Sequence, residues 1–154
     1  MRTLAFLSLL ALVTSVVASD RPLSFRHDVL PVLSKAGCNS GGCHGALAGK
    51  GGFRLSLNAY DPATDHYNIT RENRGRRIEF ADPARSLFVI KPTAAVRHKG
   101  GKFLHEDSDD YKLLIEWIQQ GAPGPSTDDT KLNRIELSPA LSQLNKGDTQ
   151  PLTV

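Results

Sequence analysis

The spacing of two cysteines and one histidine constrains this chain more than any other feature. Its 154 residues contain only two cysteines, Cys38 and Cys43, and His44 follows the second directly. A thiol pair followed by a histidine is typical of covalent haem attachment, although the usual motif is C-x-x-C-H. Here four residues separate the cysteines. All four are small or favour turns, so a bulged loop can accommodate them: Asn39, Ser40, Gly41 and Gly42.

Two other fates of the thiols compete with haem attachment. A Cys38–Cys43 disulfide is sterically possible, but it leaves His44 without a role. A bare metal site needs two further ligands, and the remaining candidates do not share a ligand spacing: His66, His98 and His105. The motif therefore favours one covalently attached haem c, held by Cys38 and Cys43, with His44 as the proximal iron ligand.

The N-terminus predicts export. Arg2 precedes an apolar run over residues 4–17. Small residues follow this run as far as Ser19, and the polar Asp20 comes next. This is the layout of a signal peptide over residues 1–19, with an uncleaved signal anchor as the alternative. The run is short for a membrane span, and no other segment is apolar enough. We expect a protein of the periplasm or cell surface with no membrane span after cleavage.

Composition narrows the class of partner. The formal net charge is +3, and removal of Arg2 with the leader lowers it to +2. That charge is too mild to indicate a nucleic-acid partner. Aromatic residues make up only 6% of the chain, so a cofactor with a large apolar face could supply part of the core.

Two amphipathic helices are predicted at the ends of one domain. Ser24 can cap the first, with Pro31 kinking it or starting its regular part and Gly37 ending it. Its apolar positions are Phe25, Val29, Val32, Leu33 and Ala36. Ser108 can cap the second, which ends at Gly121. Its stripe comprises Tyr111, Leu114, Ile115 and Ile118, with Leu113 and Trp117 beside it. We expect the two helices to pack against each other.

Between these helices lie loops and short helical segments. The glycine-rich stretch over residues 41–52 predicts a loop. Pro62 and Pro83, each preceded by an aspartate, predict short helices. The second of these helices should turn Leu87, Ile90 and Phe88 towards the core.

The sixth iron ligand is predicted to be a histidine. The only methionine, Met1, leaves with the signal peptide, so methionine ligation is excluded in the mature protein. His98, in a glycine-containing segment before the last helix, is the preferred candidate. His105 is the next, and an iron with no protein ligand on that side is the alternative. Arg76 and Arg77 are candidate contacts to the haem propionates, or part of a solvated basic loop.

The sequence changes character after Gly124. Residues 126–154 predict a linker followed by short β-strands. Two or three strands cannot form a stable sheet alone, so this part is interpreted as the truncated start of a β module.

Residues distributed over positions 23–125 resemble the cytochrome c-like domain of many large exported planctomycete proteins. The similar segments are residues 25–45, 49–57 and 91–93, together with Asp82-Pro83, Ser86-Leu87, His98, Gly100-Gly101, Trp117-Ile118 and Gly121-Ala122-Pro123. The resemblance implies an all-α cytochrome c-like fold over residues 23–125, with N- and C-terminal helices packed around a haem. In that family a bacterial immunoglobulin-like (Ig-like) module often follows, and residues 135–154 are similar to its opening. No established reaction comes with the resemblance.

Electron transfer by iron redox cycling is the favoured function, with a redox partner that the sequence does not identify. The alternative is a non-redox binding or sensing module, with a Cys38–Cys43 disulfide or an open iron site. An enzyme is the less favoured class, because no acid–base constellation suited to peroxide chemistry is recognisable. The acids Asp109, Asp110 and Glu116 are expected on the surface of a helix.

Overall fold

Four α-helices make up most of the regular structure over the residues that the structure describes. The computed structural model describes residues 21–129, 133–136, 138 and 143–151. The helices are α1 (Leu30–Lys35), α2 (Pro62–Thr70), α3 (Leu87–Ile90) and α4 (Asp109–Gln119). The described residues form no β-strand beyond isolated bridges. The prediction of a helical domain is therefore confirmed at the level of fold class.

The first helix begins as predicted, with an irregular first turn. The Ser24 hydroxyl accepts a hydrogen bond from the His27 N–H, and Phe25–Val29 forms a π-helical turn. The regular α1 begins at Leu30, with Pro31 in its first turn, where the missing proline N–H costs no helical hydrogen bond. Gly37 ends the helix with a φ of 70°. The Cys38 N–H donates to the Leu33 carbonyl at 2.9 Å, so the helix leads directly into the cysteine motif.

The last helix is the longest of the described helices and follows its sequence signals closely. The Ser108 side chain accepts from the Tyr111 N–H, and Asp109 and Asp110 occupy the first turn, where negative charge suits the helix dipole. The residues that α4 buries are Leu114, Trp117 and Ile118. Gly121 then takes a φ of 86°, which ends the helix.

The two ends of the domain pack together, as predicted. The rings of Phe25 and Trp117 lie 5.6 Å apart between centroids, and both side chains are fully buried. His66 of α2 packs edge-on against Phe25 at 5.2 Å. The Leu23 N–H also donates to the Gln120 side chain at 2.8 Å. This aromatic junction joins α2 to both terminal segments.

The short helix α3 matches its predicted orientation only in part. Phe88 and Val89 are buried, whereas Leu87 and Ile90 are only half-buried. The expectation that this helix turns Phe88 towards the core is confirmed, whereas Leu87 and Ile90 are turned towards it only in part. A separate 3₁₀ turn (Pro83–Arg85) precedes α3, which is a single turn of four residues, so its side chains point in all directions around the axis.

The segment after α4 folds back onto the N-terminal turn. The Ser24 hydroxyl donates to Asp129 at 2.8 Å, and the Arg26 guanidinium lies 3.3 Å from the same carboxylate. The described residues beyond this point form no strand, and the rest of the predicted β segment lies outside the described residues. The predicted signal peptide over residues 1–19 also lies outside them. Over the part of the chain that the structure describes, no helix has the length and hydropathy to cross a membrane.

Candidate functional site

A cavity of about 750 Å³ opens beside the cysteine motif. Apolar side chains from the helices and the long loops form most of its wall, including Val32, Leu33, Leu55, Phe88, Leu104 and Leu114. All six residues predicted to bind a cofactor line it: Cys38, Cys43, His44, Arg76, Arg77 and His98. The structure thus brings together residues that are up to sixty positions apart in sequence.

The cysteine motif forms a loop anchored at its start and bulged in its middle. Asn39 is 2% exposed, and its amide donates to the Ser34 hydroxyl at 2.8 Å. The His44 N–H donates to the Cys38 carbonyl at 2.9 Å, which closes the loop. Gly41 and Gly42 are exposed, with open space around them. The extra residues therefore project outwards, while both cysteines stay on the cavity.

Gly45 is needed for this loop to close. Its N–H donates to the Ser40 carbonyl at 2.9 Å. A Cβ atom at this position would collide with the carbonyl oxygens of Asn39 and Ser40. Because those atoms belong to the backbone, they cannot move aside as a flexible side chain would. The glycine after His44 is thus a requirement of packing.

Both cysteines are free thiols in this structure. Cys38 packs against the hydrophobic core, and burial, with a smaller contribution from Cys43, raises the pKa of its thiol to about 11. Cys43 is half-buried. Both are therefore available at the cavity wall for a covalent bond to a ligand.

The His44 ring is fixed by a backbone carbonyl. Its Nδ1 lies 3.0 Å from the Phe53 carbonyl oxygen, and the ring packs on the Phe53 ring at 4.7 Å between centroids. A carbonyl only accepts, so Nδ1 carries the proton and Nε2 keeps its lone pair. Burial lowers the pKa of His44, and this favours the neutral form that a metal ion can bind.

His98 repeats this arrangement on the loop between α3 and α4. Its Nδ1 lies 2.9 Å from the Gly101 carbonyl oxygen, which again leaves Nε2 as the free base. The His44 and His98 ring centroids are 6.3 Å apart, and the ring planes differ by 12°. Two backbone hydrogen bonds to the Pro92 carbonyl, from Phe103 and Leu104, close the base of this loop. Two imidazoles with matching tautomers thus line one cavity.

Arg77 already forms hydrogen bonds and an ion pair within the protein. It is 5% exposed and donates to the carbonyls of Asn68 at 2.7 Å and Gly52 at 2.8 Å. It also pairs with Glu72 at 2.9 Å and lies 4.5 Å above the Phe53 ring. Arg77 therefore clamps the glycine loop and the residue on which His44 rests. Arg76 is exposed on the cavity wall.

Sequence reasoning missed the positive charge around this cavity. Four further cations line it: Lys50, Lys91, Arg97 and Lys99. Arg97 and Lys99 flank His98, so their positions could have been inferred once His98 was chosen. Lys50 belongs to the glycine loop, and nothing in its sequence context indicates the cavity.

The other histidines lie elsewhere. His66 donates from Nε2 to the Ala122 carbonyl at 2.9 Å and belongs to the aromatic junction. His105 and His27 are exposed and do not line the cavity. Among the described residues, no three His, Cys, Asp or Glu side chains lie close enough together to hold a metal ion. His44 and His98 are the imidazoles on the cavity that could bind a metal carried by a ligand.

Comparisons with protein-family models, curated proteins and solved structures returned no match for this chain.

Proposed function

We propose that this protein is an exported c-type haem protein that transfers electrons in the periplasm or at the cell surface. One haem would be attached through Cys38 and Cys43, with His44 and His98 as the two iron ligands. One observation carries the proposal. Two histidines in the same tautomer present nearly parallel rings, 6.3 Å apart, in a cavity that both thiols also line.

The separation of the rings supports a shared metal ion. The centroids of the two rings are 6.3 Å apart, at the wide end of the range for paired aromatic rings. Two metal–imidazole bonds of about 2 Å would account for about 4 Å of the distance between the ring centroids. The remainder is close to the sum of the two distances from ring centre to ring nitrogen. The centroid distance thus equals the sum expected if both Nε2 atoms bound one ion.

The hydrogen bonds behind the two rings support the same role. Metal-bound histidines usually donate their other N–H to a carbonyl or carboxylate, which fixes the ring and raises its basicity. Phe53 and Gly101 provide such carbonyls here. The wall is mostly apolar and would face a flat macrocycle. Bound there, haem would supply a one-electron iron couple, at a low potential because neither ligand is methionine.

The charged wall suits the carboxylates of such a group. Arg76 is exposed and lines the cavity, so it is the better of the two predicted arginines for a propionate contact. Arg77 would act by holding the loop that carries Phe53. We also propose the haem-enclosing cytochrome c-like fold for residues 23–125 and an Ig-like β module beginning within residues 126–154.

The intact mass of the exported protein tests the attachment. The chain is produced in a host with haem-attachment machinery, and its mass is measured after denaturing extraction. We expect a mature chain with the mass of one haem added. A loss of two hydrogens would instead reveal a Cys38–Cys43 disulfide, and an unmodified mass would also contradict the proposal.

Cysteine variants serve as the matched controls. Cys43→Ser should leave at most one thioether bond. The double variant Cys38→Ser/Cys43→Ser should release its haem on extraction. Covalent haem on the double variant would show that the attachment site is elsewhere.

A further inference from the structure

We propose that the mouth of the cavity is a docking surface for an acidic protein partner. The surface is formed by the cationic rim, defined as Lys50, Arg76, Lys91, Arg97 and Lys99. The inference rests on the proposed function in one respect: electrons would enter or leave through this mouth. The docking itself requires only the rim.

Five of the 19 lysines and arginines of the chain form this rim. All five rim residues are exposed, and no aspartate or glutamate lines the cavity. Five positive charges exceed the formal +3 of the whole chain, so the other residues together carry −2. A patch of one sign beside a low-dielectric cavity focuses the field and attracts a partner of opposite charge. Two propionates of the proposed haem would leave three of these charges uncompensated.

Parts of the rim are held in place by the backbone. The Lys50 ammonium donates to the Gly42 carbonyl at 3.1 Å, and the Lys91 ammonium donates to the Arg97 carbonyl at 3.0 Å. Within the described residues, none of the five rim cations forms an ion pair with a carboxylate. The rim therefore presents its charge outwards without first breaking an internal ion pair.

An apolar centre favours a protein over other anionic partners. Phe103 is 42% exposed, lines the cavity and packs against the His98 ring at 6.3 Å between centroids. An apolar centre within a charged rim is the usual anatomy of a protein interface. Nucleic-acid binding relies instead on an extended basic surface, which the mild net charge does not provide. Carboxylates around an apolar contact are the expected complement.

The test uses an acidic plant-type [2Fe–2S] ferredoxin as the probe. It is titrated calorimetrically against the protein as expressed, with or without bound haem. Salt is varied from about 0.01 M to about 1 M, which shortens the Debye length from about 30 Å to about 3 Å. We expect binding at low salt that is lost at high salt. Because the intact mass reports haem attachment separately, failure of that proposal and failure of docking are distinguishable.

Charge-reversal variants locate the binding surface. Arg97→Glu and, separately, Arg76→Glu should each weaken ferredoxin binding by about fivefold to tenfold. Lys112→Glu is the matched control, with the same change in total charge. It lies on α4 two residues before Leu114, so it projects from the opposite side of the helix from that cavity residue. The control should change the affinity by less than about twofold.

Three outcomes would overturn the proposal. One is an absence of ferredoxin binding at low salt. Another is an equal loss of affinity in the rim variants and the control, which would mean that only total charge matters. The third is tighter binding of a DNA duplex than of ferredoxin at the same salt, which would assign the rim to nucleic acid.

Discussion

His44 and His98 lie on one cavity with their ring planes 12° apart, and each holds its Nδ1 proton on a backbone carbonyl. The two residues differ in how the chain supports them. His44 follows an anchored loop and rests on Phe53, whereas His98 belongs to a long loop between helices. We therefore expect His98 to be the ligand that is lost more easily.

Substitution of His98 should change the spin state of the proposed haem protein. His98→Ala removes one of two nitrogen ligands, so the ferric spectrum should move from low-spin to high-spin. His98→Met should keep the iron low-spin and raise its potential, since methionine ligation raises the potential. Absorption and electron paramagnetic resonance spectra provide the measurement. His105→Ala is the control and should leave both spectra unchanged, because His105 is exposed and outside the cavity wall. A low-spin His98→Ala protein would show that His98 is not the ligand.

Gly45 should tolerate no side chain, unlike Gly41. A methyl group at Gly45 meets two backbone carbonyls, whereas one at Gly41 meets open space. We expect Gly45→Ala to lower the free energy of unfolding by about 1–3 kcal/mol and to reduce haem attachment. Gly41→Ala should leave both nearly unchanged. Urea unfolding curves and intact mass are the measurements, and equal effects of the two variants would contradict the loop geometry.

Arg77 should matter for stability, and Arg76 should not. Arg77→Ala leaves the carbonyls of Asn68 and Gly52 without their donors, at a cost of about 2–4 kcal/mol. Arg77→Lys should recover only part of this, because one ammonium does not reproduce the guanidinium fork. Arg76→Ala removes an exposed side chain and should change the unfolding curve little. If Arg76→Ala proved the more destabilising of the two, the proposed clamp would be wrong.

Stability of the haem-free chain should fall as the pH is lowered through about 6.5. Burial lowers the pKa of His44 in the folded state, so the unfolded chain binds the proton more readily. The stability present above the unfolded pKa is then lost on acidification, with a slope of at most about 1.4 kcal/mol per pH unit. The measurement is urea unfolding at several values between about pH 8 and about pH 5, a range that brackets the ordinary histidine pKa of about 6.5.

His44→Ala is the comparison that isolates this effect. The variant should show a shallower dependence on pH than the original chain. Burial raises the pKa of Asp65 and gives a contribution of opposite sign, but the comparison cancels it because both proteins contain Asp65. Identical slopes would mean that His44 is not titrating as proposed.

The sequence predicted the parts of the fold that depend on local signals. Ser24 and Ser108 cap helices as expected, and Pro31 lies in the first turn of the regular helix. These assignments depend on hydrogen bonds within four residues, which a sequence displays directly. The orientation of α3 was predicted only in part, because it is a single helical turn whose side chains point in all directions around the axis.

The candidate site was predictable only as a set of residues. The cysteine spacing and the lack of any methionine other than Met1 indicated His44 and His98, and the structure places both on one cavity. The clamp formed by Arg77 could not be predicted, because its acceptors are backbone carbonyls of Asn68 and Gly52, far along the chain. Backbone acceptors exist at every position, so no residue type reveals them.

The hydrogen bond between Ser24 and Asp129 brings the entry and exit of the helical unit to one point. A unit with adjoining ends can be inserted into a longer polypeptide without forcing its neighbours apart. The same closeness would permit circular permutation, with a short peptide joining the two ends and new termini placed in an exposed loop. The helical unit should therefore tolerate insertion into different polypeptides.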